Sequence, residues 1–465
     1  MGFILTGCET FSGEDALTGG DAEEAKALHV SPNGDDQKGD GTEAKPFATV
    51  EGAIKEGIKD GISPGSSIIL HEGVYDPMEI TAEASGTRDN PVTITAAEGE
   101  SGYETVIVKG TGKSIGIHLI NVSHVRLQGF EVSGGDHGIL YESTKEQGEK
   151  PLEDVSIKDC KVHDVAGTHG IAAYGANDLA PVKDFKILDC QVYDCSCGDS
   201  ESVVLNGNLD GFEIAGNEIH DNNNIGIDMI GFEGTARHEE HGGFDNLYDV
   251  DFVRNGICHD NVIYNISAEG NPAYRTADGY DLCADGIYVD GGQNIEIYRN
   301  YVHHCDIGIE VATEHSPEDN ELFKVSGVRV HDNVIAECHG WCGLCFGGYD
   351  RELGFTENCE FRNNTMVDNR VQMAVQRSKG NKVHNNLFVG EAGSAVEFSD
   401  ACSPEDMVNE IGENVWCMSG DISDDSLAEA LSEDVMKQQD LRDDRSQVLD
   451  GYRSLIPEMG SEFVP

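Results

Sequence analysis

No run of about 20 apolar residues occurs in this 465-residue chain, so no segment of it reads as a membrane-spanning helix. Aromatic residues make up only 7%, prolines number 12, and the Ala/Leu/Lys-rich stretches of a helical protein are missing. That scarcity points away from a helical bundle and towards short strands and turns. Basic residues are few beside their opposites: 31 Lys and Arg against 86 Asp and Glu, a formal net charge of −55. Such a surface repels nucleic acid and anionic membranes, so neither is expected as a partner. An anionic polymer would need cations to bridge it to this surface.

What is abundant is glycine, at 56 residues, and cysteine, at 14. The Gly-rich middle repeats itself. Segments such as "VSIKDCKVHD", "FKILDCQVYD", "FEIAGNEIHD", "IEIYRNYVHH" and "VRVHDNVIAE" align on one position, occupied by Cys160, Cys190, Asn217, Asn261, Asn300, Asn333, Asn364 and Asn386. Gly129 and Asn414 extend the series at its two ends. Alternating apolar residues precede each of these positions, an apolar pair follows, and a third strand beginning with Gly and a branched residue completes the unit. Three short strands in at least 22 residues describe an all-β fold, a single-stranded right-handed parallel β-helix. Asn in one turn of every coil can stack as a ladder of side-chain amides. Cys160 and Cys190 share that slot and are expected to be adjacent, buried and reduced, as small hydrophobes. Cys195, Cys305 and Cys338 share a second slot, so "CHGWCGLC" (338–345) reads as coil interior before it reads as a metal cluster.

Ahead of the coils, "HVSPNGDDQKGDGTEAKPFATVEGAIKEG" (29–57) reads as strand, glycine-rich loop and helix. Val50, Ala53, Ile54 and Ile58 have the spacing of one buried helical face that would cap the open end of the solenoid. Through Val30, Ser31, Gly34, Asp35, Gly41, Thr42, Pro46, Phe47, Thr49 and Ala53, the stretch resembles the N-terminus of secreted β-helix carbohydrate-active enzymes. These include family nine pectate lyases and several glycoside hydrolase families. The resemblance implies the architecture and, as an expectation, action on a polysaccharide or oligosaccharide. Still earlier, "ILTGC" (4–8) resembles a bacterial lipoprotein processing box, without the charged and apolar stretches of a signal peptide before it. An extracellular or cell-surface location with a lipid anchor at Cys8 is expected. The division that follows is an export remnant and linker (1–27), a cap with the first coils (28–110), the β-helix (111–418) and a short helical C-terminal tail (419–465).

The third strand of each coil carries the chemistry. "GIDMI", "GIYVD" and "GIEVA" hold Asp228, Asp290 and Glu310, where a strand prefers Val or Thr. Side chains alternate across a strand, so these acids leave the core and gather on one outer face. One outward column reads His118, Leu140, Ala172, Val204, Asp228, Tyr288, Glu310, Cys345; a second reads Ile120, Glu142, Tyr174, Asn206, Ile230, Asp290, Ala312, Gly347. With about 4.8 Å between strands, Asp228 and Glu310 would stand roughly 9–10 Å apart. Three insertions fall beside the same strands: "FEGTARHEEHGGFDNLYDVDF" after Asp228, "SAEGNPAYRTADGYDLCA" before Asp290, and "TEHSPEDNELFK" after Glu310. Long loops on a solenoid wall in a functional face.

Asp290 and Glu310 are therefore taken as a reacting carboxylate pair, with Asp228 as an orienting neighbour. Tyr174, Asn206, Glu233, His238, Tyr274, Tyr288, Glu314 and His315 are taken as substrate contacts, the tyrosines as flat surfaces for sugar rings. Hydrolysis by paired carboxylates is the first expectation. Calcium-dependent β-elimination on a uronate polymer, which the pectate lyase resemblance implies, is the second. In that chemistry the acids hold calcium and a Lys or Arg takes the proton. No Lys or Arg occupies the outward columns, and only Arg237, Arg275 and Lys324 in the insertions could reach in. Calcium is the one cofactor this reading allows. A non-catalytic glycan-binding surface protein is the third.

Overall fold

Many of the short strands end where the next residue takes the left-handed conformation, which Asn and Asp tolerate better than most residues with a side chain. Asp159, Asp189, Asp260, Arg299, Asp332 and Asn385, each immediately before a ladder position, have φ between 52° and 56°. In a computed structural model, residues 25–58, 64–99, 102–238, 246–348, 353–391 and 395–419 are described. Their strands form three long sheets of 15, 12 and 11 strands, parallel throughout. Each complete coil contributes strands to all three sheets, which is a parallel β-helix.

The interior is built from columns of branched side chains brought into register. In the second sheet Val132, Val162, Val192, Ile219, Ile263, Val302 and Ile335 pair in succession. In the third sheet Ile117, Ile139, Ile171, Val203, Ile227, Ile287, Ile309 and Leu344 do the same. All are fully buried. The glycine that opens most third strands has a steric reason. A Cβ on Gly286 would lie 2.3 Å from Val302 Cγ1 and 2.8 Å from the Gly308 carbonyl oxygen, and Gly138 and Gly308 are pressed in the same way.

The asparagines stack as expected. Asn217 Nδ2 donates to Asn261 Oδ1 at 2.9 Å, and the chain of amides runs on through Asn300, Asn333, Asn364 and Asn386 to Asn414 at 2.9–3.0 Å. At the N-terminal end the slot belongs to Phe130 rather than Gly129. Gly129 takes the left-handed position before it, with φ of 80°, and Phe130 accepts the Lys161 N–H as Cys160 accepts that of Gln191. The second cysteine slot seen in the sequence is also a ladder, where Cys195 and Cys338 donate their N–H groups to Asn222 and Asn369; a third, in which Cys359 donates to Asn381, escaped the sequence reading.

The N-terminal cap is the helix Val50–Ile58, packed on the strands Ala27–Val30 and Met78–Ile80. The Thr49 hydroxyl accepts the Gly52 N–H at 2.9 Å and donates to Asp36, fixing the helix start. Val50, Ala53 and Ile54 are buried; the Ile58 side chain lies outside the described residues, as do Cys8 and the expected C-terminal helix.

The 13 cysteines among the described residues are unpaired, and Cys160 and Cys190 are buried in adjacent coils. Burial pushes the Cys190 thiol well above its ordinary range. Thiol titration without reductant should therefore detect little beyond the partly exposed Cys283 in the native protein and should count essentially every cysteine after denaturation. A disulfide joining Cys160 to Cys190 in peptide mapping would contradict this packing.

Candidate active site

The register of the third sheet places the acids. Val204, Asp228, Tyr288, Glu310 and Cys345 are successive partners on neighbouring strands, and Asp290 pairs with Ala312 one pleat further along. A third column lies on the other side, at the residue before each opening glycine. His137 pairs with His169, and Asp285 with Ile307; Glu201 holds the equivalent place before Ser202. The sequence reading missed Asp285 and Glu201 because it began each strand at the glycine. There the alternation breaks: Gly286 and Ile287 both face inwards, so Asp285 faces out beside Glu310. The signal was present in "DGIYVD", one residue earlier.

The insertions close over this face from two sides. The first and third are joined by an aromatic cluster in which Phe323 packs against Phe232, Tyr248 and His315 with ring centroids 5.0–5.1 Å apart. A reciprocal amide pair of Asn246 and Asn320 at 2.8 and 2.9 Å adds to it. Asp251 organises the first loop by accepting the Gly234 and Ala236 N–H groups, both at 2.6 Å. The second insertion is pinned at both ends by Asp306, which accepts from Ser267, Ala268 and Ala284. Between the walls a cleft of about 800 Å³ remains, lined by Asp285, Glu310 and Glu314 and by Tyr274, Tyr288 and Trp341.

Burial sets the electrostatics. Asp228 and Asp285 are each 2% exposed, and each has an Oδ1 without a hydrogen-bond partner among the described residues. Both carboxyls are held well above the usual range, by burial first and then by neighbouring acids, Glu201 and Asp290 for Asp228, Glu310 and Asp228 for Asp285. Glu310 is pushed up to about 7 by burial, against the opposing hydrogen bond it shares with Asp285. That shared bond raises Asp285 and lowers Glu310, so Asp285 keeps the proton between them. Asp290 is raised to about 8 by burial and then by Glu314, and Glu201 to about 7 by burial.

The residues expected from sequence fall into three places. Glu310, Glu314, Tyr274 and Tyr288 line the cleft. Asp290, 6% exposed, sits behind it, where Oδ1 accepts the Glu314 N–H at 3.1 Å; Asp228 is buried next to Tyr288 in the column. Glu233 and His315 bond to each other at 2.8 Å across the closed walls, an interaction that raises His315 and lowers Glu233. Tyr174 and Asn206 lie in coils nearer the N-terminus, Tyr174 edge-on to His137 and His169, and Asn206 accepting from the Thr235 hydroxyl. His238 is turned inwards with Nδ1 3.1 Å from Asp178 Oδ2. Tyr274 is fixed by Asn224 Nδ2, 3.1 Å from its hydroxyl. Lys324 turns to Glu357, at 2.9 Å, and Arg237 stacks over Tyr248.

These raised carboxyls imply a pH dependence with a definite sign. Asp290, Glu310 and Glu201 bind protons more tightly folded than unfolded, where they titrate near 4. The folded state then carries more protons, so stability falls as pH rises from about 4 through 7 and 8. Melting temperature should be highest near pH 5 and decline steadily to pH 8.5. A rise over that interval would mean the acids ionise without penalty.

Comparison with known proteins follows this geometry. The chain is 34% identical over 421 residues to the uncharacterized protein YwoF of Bacillus subtilis (strain 168), covering 85% of this chain and 81% of that one. The chain belongs to the YwoF family. Residues 247–426 of this YwoF-family chain also match the family model described as periplasmic copper-binding protein (NosD). Copper finds no fitting donors here: among the described residues no three His, Cys, Asp or Glu side chains converge as a ligand set. The cysteines of the matched region are buried instead, Cys258, Cys305, Cys338, Cys342 and Cys345 among them. Among solved structures, the GH136 lacto-N-biosidase of Eubacterium ramulus superposes with a TM-score of 0.59 at 13% identity, covering 84% of this chain and 67% of that one. A glycoside hydrolase superposes with a TM-score of 0.51 at 12% identity, covering 90% of this chain and 100% of that one. Those likenesses show a shared parallel β-helix.

Proposed function

We propose that this chain cleaves glycosidic bonds of a polysaccharide or oligosaccharide by hydrolysis, with Glu310 as proton donor and Glu314 as the second carboxylate. The observation that carries it is the pairing of these two carboxyls on one cleft. Glu310 is half-buried and its proton affinity lies near neutrality; Glu314 is exposed. A group titrating near the working pH is suited to give a proton to a leaving oxygen. As the bond from that oxygen to the anomeric carbon breaks, Asp285 supports the developing Glu310 carboxylate through their hydrogen bond. Glu314 takes the proton of the water whose oxygen joins the anomeric carbon. Asp290 holds the Glu314 backbone in place. The shared fold with carbohydrate-cleaving proteins is compatible with this reading, and Tyr274 and Trp341 offer ring faces for a sugar.

The test is product analysis on a panel of plant, microbial and host glycans, with and without calcium. New reducing ends without ultraviolet-absorbing unsaturated products support hydrolysis. Unsaturated products would replace it with calcium-assisted elimination. Binding without any cleavage would make the chain a glycan-binding surface protein.

A further inference from the structure

Hydrolysis needs two carboxylates, and this cleft holds more. Asp281, Asp285, Glu310 and Glu314 line it, with Asp290 behind Glu314. Acids gathered this closely either hold their protons, as Asp285 and Asp290 do, or need a cation beside them to ionise. The protein supplies little: the three outward columns contain no Lys or Arg between Ile115 and Gly347. The cleft's one lining cation, Arg370, donates to the Gly340 carbonyl oxygen. The acids are not converged as a metal-ligand set either. Independently of the charges, Asp285 is 2% exposed with an orphaned Oδ1, and Tyr274, Tyr280 and Trp341 border the same space. A buried oxygen lacking a donor, acids outnumbering their one lining cation, and aromatic faces call for a ligand carrying both a cationic donor and a sugar ring.

We propose that the cleft recognises glycans of amino sugars whose amines are free and protonated, with an ammonium group set among the Asp285, Glu310 and Glu314 carboxyls. This rests on reading the same cleft as the glycan-cleaving site. It predicts discrimination against uronate polymers, whose carboxylates would add to the repulsion, and against N-acetylated sugars, which lack the charge.

The experiment is calorimetric titration of the intact protein with a glucosamine tetramer, its fully N-acetylated counterpart, and a tetragalacturonate with and without calcium. The free-amine tetramer should bind at least about tenfold tighter than either, the worth of one charge-assisted hydrogen bond. The preference should shrink as salt is raised. Glu314→Gln should weaken the free-amine tetramer severalfold and shrink its advantage over the acetylated one. Equal or tighter binding of the acetylated or uronate tetramer, or uronate binding that appears with calcium, would overturn the proposal. The two readings fail separately. Cleavage of neutral glycans without amine preference removes this inference alone, and amine-selective binding without cleavage of any glycan removes hydrolysis alone.

Discussion

Glu310→Gln is expected to lower kcat on the cleaved glycan by about 10²–10⁴-fold, the usual worth of a positioned general acid. Glu314→Gln should fall in the same range, because both carboxyls line the cleft. Asp290→Asn should lose less than about tenfold, since the asparagine oxygen can still accept the Glu314 N–H now held at 3.1 Å. This separates two arrangements of one site. The spacing of strands alone pairs Asp290 with Glu310; the cleft pairs Glu310 with Glu314. If Asp290→Asn is as inactive as Glu310→Gln, the strand pairing is the catalytic one. Stability should move the other way from activity. Glu310 carries a burial penalty when ionised, and glutamine removes it while still able to bond to Asp285. Glu310→Gln should raise the melting temperature by a few degrees at pH 8.5 and leave it unchanged near pH 5, where the native carboxyl is already protonated.

The second large effect lies in the ladder. Asn300→Ala should cost about 4 kcal/mol, because it removes a fully engaged buried amide. Asn300 Oδ1 accepts the Asn261 N–H and Nδ2 at 3.1 and 2.9 Å, and Asn300 Nδ2 donates to Cys258 O and Asn333 Oδ1, both at 3.0 Å. Position along the ladder should matter. Cysteine occupies this slot in the two coils before Asn217, where Cys190 sends only its backbone N–H to Asn217 Oδ1. Asn217→Cys leaves no side-chain amide above it unsatisfied, whereas Asn300→Cys strands the Asn261 amide. Denaturant unfolding should show the mid-ladder cysteine costing about 2 kcal/mol more than the terminal one. Equal costs would mean that the amides do not act as a connected chain.

Two regularities made much of this legible in sequence: a period of two along each strand and a turn residue repeated once per coil. Together they determined the β-helix, the asparagine stack from Asn217 to Asn414, and the outward column that carries Asp228, Tyr288 and Glu310. Alternation is a local steric property, so it can be read from neighbouring residues. Asp285 escaped because the corner before its strand is not alternating. Gly286 lies too close to Val302 for any Cβ, and that contact belongs to the neighbouring strand of another sheet. Which acids reach solvent was also beyond the sequence. Phe232, Tyr248, His315 and Phe323 lock two insertions together, with Glu233 bonded to His315 over 82 residues of chain, and Asp290 is enclosed at their junction. The second insertion, pinned by Asp306, stands off and leaves a cleft onto which Glu310 and Glu314 open, with the buried Asp285 in its wall. The sequence by itself determined the direction in which each strand side chain leaves the coil. Only the tertiary structure decided which carboxylates were covered, because that depends on packing between loops remote in sequence, for which no local periodicity exists.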